Sequence, residues 1–358
     1  MSIRRSSLLA AFAVASLLLA VACGDDGGDA SGGGAEGADD QRTVVLLTYD
    51  SFALPEEAAE RFEELTGARI EVRATGDAGS MLTGALLAAG APEGDVIFGI
   101  DNTLATRVLQ EDLLEPFTPD GIDAIPQRYL LEGELGRLLT PVDAGDVCVN
   151  VDEAWFEDEG IEPPSTMEDL ASEPYRDLLV VESPVTSSPG LAFLLTTIDR
   201  YGEDGWQDYW KRLADNGVRV RPSWDDAYYN DYTVSGGDRP LVLSYASSPP
   251  AEVVFGDLDE PRSSVMTDSC GAQVEYAGVL RGAEEPELAR ELVEFMVSET
   301  WQEALPLANF VFPVREDVRL PEEFERWAER ADDPAGLPPE LVEERRDTWI
   351  EQWRELME

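Results

Sequence analysis

Residues 44–67 read VVLLTYDSFALPEEAAERFEELTG, and this stretch indicates the fold class. A short apolar run typical of a buried β-strand ends at Tyr49 and Asp50. A helical pattern follows almost at once, with Pro55 near its start and Gly67 at its end. In open α/β sheets, ligands lie where strands end beside helix N-termini. The stretch therefore predicts an α/β fold with a ligand-binding site near Tyr49.

The same alternation of apolar strands and helical patterns continues along the chain. Strand-like segments end at Asp50, at the loop of residues 75–80 and at Asp101, in a β-α-β-α-β-α order typical of a doubly wound sheet. A second alternating set begins near residue 145. About 315 residues follow the N-terminal region, which exceeds the length at which one hydrophobic core usually keeps growing. We therefore expect two domains.

The N-terminus resembles an export signal. Residues 1–23 contain two arginines, a short apolar run and then small residues up to Cys23, which is typical of a secretory signal and too short for a stable membrane span. The segment LAVAC resembles a bacterial lipobox, which implies a lipoprotein signal peptide at residues 1–22 and lipidation of Cys23. Secretion with an unmodified Cys23 is the alternative. Residues 23–42 are rich in Gly, Asp and Ala and predict a flexible tether to the cell membrane.

The charge balance excludes one class of partner. The chain has 74 Asp plus Glu against 26 Lys plus Arg, a formal net charge of −48. Nucleic acid is therefore not expected as a partner, because binding it needs clustered cations. A solvated surface adapted to salt explains the charge, and a field that favours a cationic ligand is a second interpretation.

Residue types argue against an enzyme. The chain has no histidine, no Gly-rich phosphate motif with its lysine and no nucleophile elbow. Only two cysteines remain besides Cys23, so a zinc site has little support. We expect no catalytic residues, no bound metal and no cofactor. A secreted hydrolase that uses a carboxylate pair and a purely structural surface protein remain as alternatives.

Four segments carry a resemblance to a known family. They are TYDSFA at 48–53, DVIFGIDN at 95–102, SPVTSSPGLAFLL at 183–195 and SWDDAYYNDYTVSGGDRPLVLSYASSP at 223–249. With these segments in this order, the chain resembles the solute-binding proteins of ABC transporters, specifically the thiamine-binding branch of the iron, thiamine and polyamine group. The resemblance implies a two-lobed type II periplasmic-binding-protein fold, in which each lobe is a doubly wound sheet and the ligand lies in the inter-lobe cleft.

The resemblance also implies where the chain crosses between the lobes, namely near residues 141–150 and 271–280. The implied division is lobe I at residues 43–147 and 272–358, and lobe II at residues 148–271. Cys148 and Cys270 fall one on each crossover. They form an even pair once Cys23 is assigned to lipid, and an oxidising compartment favours a disulfide between them. Two buried free thiols are the alternative.

The ligand-binding residues are likewise implied by the resemblance. They are Tyr49, Asp50, Asp77, Asp101, Ser187, Trp224, Tyr245 and Phe310. Asp77 would accept the amine of the aminopyrimidine, and the helix start at Ser187 would take the hydroxyethyl tail. Tyr49, Trp224 and Tyr245 would form aromatic walls, on which a cation gains about 0.5–2 kcal/mol.

Some of these residues have other predicted roles, and three positions depart from the family pattern. Trp224 and Tyr245 also fit a hydrophobic core, while Asp50, Asp101 and Ser187 precede helices that they could cap. Phe310 stands where the family has a tryptophan. The segment LPEE follows TYDSFA where a tryptophan is common, and Ala251 stands where a tyrosine is expected.

The resemblance implies a monomer that captures a small cationic ligand, thiamine or a thiamine phosphate, outside the cytoplasm and delivers it to an ABC permease. Two alternatives belong to the same superfamily. Ferric iron would use Tyr228 and Tyr229, since tyrosinates are hard ligands suited to a trivalent cation. A polyamine would need carboxylates and aromatic rings for its ammonium groups.

Overall fold

The computed structural model of the chain describes residues 42–256 and 258–357. The expected signal peptide, Cys23 and the tether up to residue 41 lie outside the described residues. The strands are β1 Thr43–Thr48, β2 Arg69–Ala74, β3 Val96–Asp101, β4 Leu114–Glu115, β5 Thr140–Ala144, β6 Val147–Asp152, β7 Leu179–Glu182, β8 Arg219–Arg221, β9 Leu241–Tyr245, β10 Ser263–Gly271, β11 Val274–Leu280 and β12 Phe312–Pro313.

Helices alternate with these strands, as the sequence predicts. The α-helices are α1 Glu56–Thr66, α2 Ala78–Leu87, α3 Leu135–Leu138, α4 Glu153–Glu159, α5 Met167–Leu170, α6 Ser188–Tyr201, α7 Trp206–Asp215, α8 Pro250–Gly256, α9 Pro286–Met296, α10 Glu299–Ala308, α11 Glu322–Trp327 and α12 Pro339–Met357. Shorter helical turns include Ala105–Asp112 and a π-helix at Asp226–Asp231. No helix in the described part of the chain has the length and apolar character needed to cross a membrane.

The opening stretch folds as its pattern predicts. The apolar run is β1, and the helix after it is α1, which ends at Gly67 in the left-handed conformation with φ of 71°. Phe62 of α1 is buried with apolar residues of β1 and β3 in one hydrophobic cluster. A helix thus covers one face of the sheet, as in α/β folds.

The strands form two sheets. The first has seven strands in the order β12-β5-β11-β3-β1-β2, with β4 paired to β11. β1 is parallel to β2 and β3, and β11 runs antiparallel to β3 and β5. The second has five strands in the order β10-β6-β9-β7-β8, with β7 parallel to β8 and β9. We call the part of the chain around each sheet the first and the second lobe, and this confirms the expected two-lobed α/β fold.

Two short crossovers connect the sheets. Residues 145–146 lead from β5 to β6, and residues 272–273 lead from β10 back to β11. The N–H of Gly145 donates to the carbonyl of Gln273 with an N–O distance of 3.1 Å, so the two crossovers lie side by side. The predicted disulfide is present between Cys148 of β6 and Cys270 of β10.

Five tryptophans on α7, α10 and α12 are buried in the core. They are Trp206, Trp210, Trp301, Trp349 and Trp353. The rings of Trp210 on α7 and Trp353 on α12 meet edge to face at 5.5 Å. The C-terminal helix α12 packs both on α7, beside the second sheet, and on the helical turn Ala105–Asp112, which follows β3 of the first sheet. It therefore contacts both lobes.

Candidate functional site

A cavity of about 430 Å³ lies between the two lobes, within the range of about 300–1,000 Å³ that is common for small-molecule sites. Its first-lobe wall comes from the end of β1, the start of β11 and the turn after α10. Its second-lobe wall comes from the end of β9, from α8 and from the π-helix region. The aromatic residues that line it are Tyr49, Trp224, Tyr228, Tyr229, Tyr245, Phe255 and Phe310.

Tyr49 is held at the end of β1 by its neighbours. Its ring contacts Phe52 and Phe98, with centroid distances of 6.1 and 6.0 Å. Gly99 in β3 makes room for it, because a Cβ there would lie 2.3 Å from Tyr49 Cδ1. Gly99 also has φ of +99°, which favours glycine. The Tyr49 hydroxyl donates a hydrogen bond of 3.0 Å to Glu275 Oε2, which directs the phenol toward the cavity floor.

Trp224 heads an aromatic group on the second lobe. Its ring stacks on Tyr228 at 4.7 Å with an interplanar angle of 19°, and Tyr229 meets it edge on at 5.4 Å. The indole Nε1 donates to the Ser244 hydroxyl at 3.0 Å. Trp224 and Tyr245 are half-buried and line the cavity, so neither is enclosed in the core. These rings present a flat surface to whatever enters.

Phe310 and Phe255 meet across the mouth of the cavity. Phe310 lies in the turn between α10 and β12, and Phe255 lies on α8, so the two rings come from different lobes. Their centroids are 5.4 Å apart at 69°. Phe255 is 74% exposed, and Phe310 has a left-handed backbone with φ of 53°, uncommon for a residue with a side chain. Ala251 is one helical turn before Phe255 on the same face of α8, so an aromatic ring is present near the position where the family pattern has tyrosine.

The floor of the cavity is acidic. Glu275 of β11 lies directly opposite Asp143 of β5 in the antiparallel register, and both are buried. Burial raises the pKa of Asp143 well above its ordinary value, and the charge of Glu275 adds to this effect. Burial likewise raises the pKa of Glu275 to about 7. The two carboxyl groups of the cavity floor therefore hold a proton more readily than ordinary carboxyl groups do.

Glu252 supplies a second carboxylate to the wall. It belongs to α8 and accepts hydrogen bonds from the backbone N–H groups of Arg262 and Ser263, at 2.7 and 3.3 Å, and from the Ser263 hydroxyl. Burial raises its pKa, and these hydrogen bonds oppose the rise. The guanidinium of Arg262 pairs with Asp152 at 2.7 Å. Glu252 is thus fixed in place by donors from the strand start behind it.

Four of the predicted site residues line the cavity, and the other four do not. Tyr49, Trp224, Tyr245 and Phe310 line it. Asp77, Asp101 and Ser187 instead lie where the lobes touch. We call this region the lobe contact; it comprises Asp77, Gly79, Ser80 and Asp101 of the first lobe and Thr186, Ser187, Ser188 and the backbone of Trp224 in the second.

Most polar groups of the lobe contact bond to one another, although the buried Ser187 hydroxyl has no hydrogen-bond partner among the described residues. Asp77 caps α2 by accepting the Ala78 N–H at 2.7 Å, and it accepts the Trp224 N–H from the facing lobe at 3.0 Å. Burial raises the pKa of Asp77, while hydrogen bonds from Trp224, Ala78 and the first residues of α6 lower it. The Ser80 N–H donates to the Thr186 carbonyl at 3.2 Å. A Cβ on Gly79 would lie 2.7 Å from that carbonyl oxygen.

The helix-capping role predicted for Asp101 is wrong, because no side chain of the described residues caps the helical turn Ala105–Asp112, and Asp101 instead holds the turn that precedes it. Its Oδ1 accepts the N–H groups of Thr103 and Leu104, both at 2.9 Å. Its Oδ2 accepts the hydroxyl of Ser188 from the second lobe, and Ser188 in turn accepts from Gln273 of the crossover at 2.9 Å. Asp101 is fully buried, and its two oxygens join a turn of the first lobe to the start of α6 in the second.

The capping role predicted for Asp50 is wrong. Helix α1 begins at Glu56 with Pro55 before it, and no side chain caps its first turn. The Asp50 carboxylate is exposed and accepts the Gly76 N–H at 2.8 Å, while the Asp50 N–H donates to the Gly76 carbonyl. Pro55 stands at the start of α1 and has no N–H that would need a capping acceptor. The Asp50 carboxylate instead holds the neighbouring loop at Gly76. Ser187 precedes α6 without a capping hydrogen bond from its side chain.

Sequence reasoning missed Glu275, Glu252, Phe255 and Asn309 as lining residues. Glu275 could have been recognised from the sequence, because it is a single acid within the apolar strand VEYAGVL. The other three follow from lobe packing, which no local pattern encodes. In residues 42–256 and 258–357, no group of three or more Cys, Asp or Glu side chains is arranged to hold a metal ion.

Two lobes joined by two crossovers around a cavity are the architecture of proteins that close on a small solute. The family profile described as bacterial extracellular solute-binding protein matches residues 92–332. The chain therefore belongs to the bacterial extracellular solute-binding proteins.

Individual relatives show which branch of this family the chain is similar to. The chain is 30% identical over 315 residues to the thiamine-binding periplasmic protein of Salmonella typhimurium, which covers 87% of this chain and 92% of that protein. It is 29% identical over 317 residues to the protein of the same name from Escherichia coli, again with 87% and 92% coverage. The resemblance to the thiamine-binding branch is thereby confirmed.

Solved structures agree. A periplasmic thiamin binding protein superposes with a TM-score of 0.79 at 26% identity, over 90% of this chain and 98% of that one. Iron-bound HitA from Pseudomonas aeruginosa superposes with a TM-score of 0.68 at 19% identity, over 88% and 99%. The second likeness concerns the fold alone.

Proposed function

We propose that this protein captures thiamine outside the cytoplasm and delivers it to an ABC permease without transforming it. The observation that carries the proposal is the composition of the cavity wall, where seven aromatic rings surround two carboxylates. Such a wall suits a flat organic cation. Relatives of about 30% identity that bear the name of thiamine-binding proteins support the same ligand.

The chemistry of thiamine fits each part of this wall. Its thiazolium ring carries a permanent positive charge, and a cation over an aromatic face gains about 0.5–2 kcal/mol, more when water is excluded. Its aminopyrimidine ring is flat and can stack on Trp224. Its exocyclic amine donates hydrogen bonds that the carboxylate of Glu275 or Glu252 could accept. Within this proposal Tyr49, Trp224, Tyr245 and Phe310 contact the ligand.

The remaining predicted residues have a different role in this proposal. Asp77 and Asp101 hold the lobes together beside the cavity, through the Trp224 N–H and the Ser188 hydroxyl, and Asp50 supports the loop at Gly76. Ser187 is buried beside them, and its hydroxyl has no hydrogen-bond partner in the described part of the chain. Asp77 was expected to bind the aminopyrimidine amine. Its carboxylate already accepts two backbone N–H groups, so we now assign that contact to the acids of the cavity wall.

The proposal includes the cellular setting. Cys23 would carry the lipid that anchors a monomer to the cell membrane, with residues 23–42 as the tether. The lobes would comprise residues 43–147 with 272–358 and residues 148–271, and they would close on the ligand about the crossovers. The partners would be the permease and ATPase subunits of an ABC importer.

Ferric iron is the second ligand that the sequence leaves open, and the geometry favours it less. Tyr228 is stacked under Trp224, and burial raises its pKa above the ordinary value of 10.0. Burial also raises the pKa of Tyr229. Iron ligation needs the tyrosinate form, which a raised pKa disfavours. Adding ferric citrate should therefore produce no tyrosinate charge-transfer colour.

Calorimetric titration of the purified protein with thiamine tests the proposal. We expect saturable binding of one thiamine, weakened on the order of 30-fold or more by Trp224→Ala, because a central aromatic anchor is lost. Trp155→Ala is the matched control, since Trp155 is also half-buried but lies on α4 and does not line the cavity. Thiamine that fails to bind at millimolar concentration would refute the proposed ligand.

A further inference from the structure

A pair of rings, one from each lobe, spans the mouth of the cavity. Phe310 lies in the turn between α10 and β12 of the first lobe, and Phe255 lies on α8 of the second. Their centroids are 5.4 Å apart at 69°, an edge-to-face arrangement that aromatic pairs prefer. Because the two rings belong to different lobes, they touch only while the lobes are together.

The ring of Phe310 is held in place by the turn that carries it. Asn309, the residue before it, clamps this turn to the loop after β1. Its Oδ1 accepts the Ala53 N–H and its Nδ2 donates to the Ala53 carbonyl, both at 2.9 Å. Phe310 itself has a left-handed backbone, which is disfavoured for a residue with a Cβ and persists where the surroundings enforce it. The first-lobe ring is therefore presented at a fixed position.

The ring of Phe255 is carried by a helix that is also fixed. Glu252, one turn before it on α8, accepts the N–H groups of Arg262 and Ser263 at the start of β10, and α8 packs on α11. Phe255 is the only aromatic residue of α8, since Ala251 stands where the family pattern has tyrosine. Its side chain is 74% exposed, so it gains free energy from any further contact that a closed and occupied cavity offers.

We propose that Phe255 and Phe310 form an aromatic latch across the cavity mouth, and that Phe255 sets how long a bound ligand stays. This inference rests on the proposed function, since it concerns the release of thiamine from the same cavity. A ligand beneath the two rings leaves through the mouth that they span, so the ring contact must break first. The contact does not exist while the lobes are apart, so its loss speeds release more than it slows capture.

A double-mutant cycle tests the latch. The proteins are the wild type, Phe255→Ala, Phe310→Ala and the variant with both changes. Stopped-flow tryptophan fluorescence gives the association rate constant for thiamine, calorimetry gives Kd, and their product is the release rate constant. Val254→Ala is the matched control, because Val254 is also an exposed apolar residue of α8 but does not line the cavity. Circular dichroism and melting temperature establish that each variant is folded.

Phe255→Ala should speed the release of thiamine by about three- to tenfold, the effect of losing one aromatic pair, and change the association rate constant by less than about twofold. Phe310→Ala should speed release at least as much, because its ring also contacts the ligand in the proposed function. The two effects should combine to much less than their product, since either change alone removes the ring contact. Val254→Ala should leave both rate constants unchanged.

The outcomes separate the latch from the proposed function. Release from Phe255→Ala at the wild-type rate would overturn the latch and leave thiamine binding intact, and so would effects that multiply fully in the double variant. If Phe310→Ala does not fold, the release rate of Phe255→Ala against its control decides the question.

If the wild type binds no thiamine, the proposed function falls, and the latch is then judged without ligand on the same four proteins. In urea unfolding, the ring contact predicts that the double variant loses less free energy of unfolding than the two single variants together. Losses that simply add would overturn the latch as well.

Discussion

The cavity and the lobe contact lie next to each other between the same two lobes, but they differ in how their polar groups are satisfied. In the lobe contact, the carboxylates of Asp77 and Asp101 accept N–H and hydroxyl groups from both lobes. In the cavity, the carboxylate of Glu275 accepts the Tyr49 hydroxyl, lies opposite Asp143 and borders a space lined by rings. One region binds the protein to itself, and the other is built to bind something else.

Because of this difference, mutations can separate the affinity for a ligand from the closure of the two lobes. Changes in the cavity should alter which ligand binds, because they alter the groups that a ligand would touch. Changes in the lobe contact should alter how readily the lobes stay together, and therefore affinity for every ligand alike. The two regions meet at the backbone of Trp224, and the charges of Asp77 and Asp101 also act on Glu275, so an uncharged change in the lobe contact is the cleanest way to perturb it alone.

The largest expected effect concerns the stability of the lobe contact. Asp101→Ala removes the acceptor of the Thr103 and Leu104 N–H groups and of the Ser188 hydroxyl. Buried donors without partners cost about 1–3 kcal/mol, so the free energy of unfolding in urea should fall by about 3 kcal/mol. Asp50→Ala is the control, since this exposed carboxylate accepts one N–H and should cost about 1 kcal/mol. Equal losses in the two variants would contradict the structural role of Asp101.

A smaller effect is expected from opening the contact without touching the cavity. Gly79→Ala introduces a Cβ that would lie 2.7 Å from the Thr186 carbonyl oxygen, so the lobes must separate slightly. We expect about tenfold weaker thiamine binding by calorimetry, with all ligands weakened in the same proportion.

The control for this change lies on the same helix. Gly84→Ala adds a Cβ that meets nothing within 4 Å, so it should leave affinity unchanged and slightly favour the helix. If Gly79→Ala binds thiamine as the wild type does, the lobe contact is not part of the ligand-bound state.

The smallest effect is a pH dependence of stability in the cavity floor. The pKa of Glu275 is raised from 4.5 to about 7, so the folded state holds a proton between these values that the unfolded state has lost. This contribution to stability is fully present below about pH 4.5 and disappears as pH rises through 7. The melting temperature of the protein without ligand should thus fall on going from pH 5 to pH 8.

Other groups also titrate near Glu275, so the pH dependence of the wild type must be compared with that of a variant that lacks this carboxyl group. The groups that face it are Asp143, Tyr49, Asp101, Asp77 and Tyr245. Glu275→Gln removes one titrating site. The fall in melting temperature from pH 5 to pH 8 should therefore be about 2–4 °C smaller in this variant than in the wild type. Parallel curves for the two proteins would show that Glu275 has the same pKa folded and unfolded.

The sequence was sufficient for the fold because the signals are local. The run before Tyr49, the helix that ends at Gly67 and the later alternation each follow from periodicity and from glycine or proline at element ends. The disulfide between Cys148 and Cys270 followed from the count of thiols and the expected crossovers.

Only half of the predicted site residues line the cavity, and there is a physical reason why the other half do not. The aromatic residues Tyr49, Trp224 and Tyr245 end strands or follow them, and their rings line the cavity. Short acids at equivalent strand ends, such as Asp77 and Asp101, can face a ligand or the opposite lobe with equal ease. Only the arrangement of the lobes decides between these roles, and it is also what brings Phe255 to Phe310.

The bond between Cys148 and Cys270 changes how tension passes along the chain. The two cysteines are 122 positions apart, and nearly all of the second sheet lies between them. A pull on the two ends of the folded chain is carried from the first lobe through the sulfur bridge and back, and the enclosed segment bears none of it. About 40 nm of contour length is thereby hidden from stretching until the bridge is reduced.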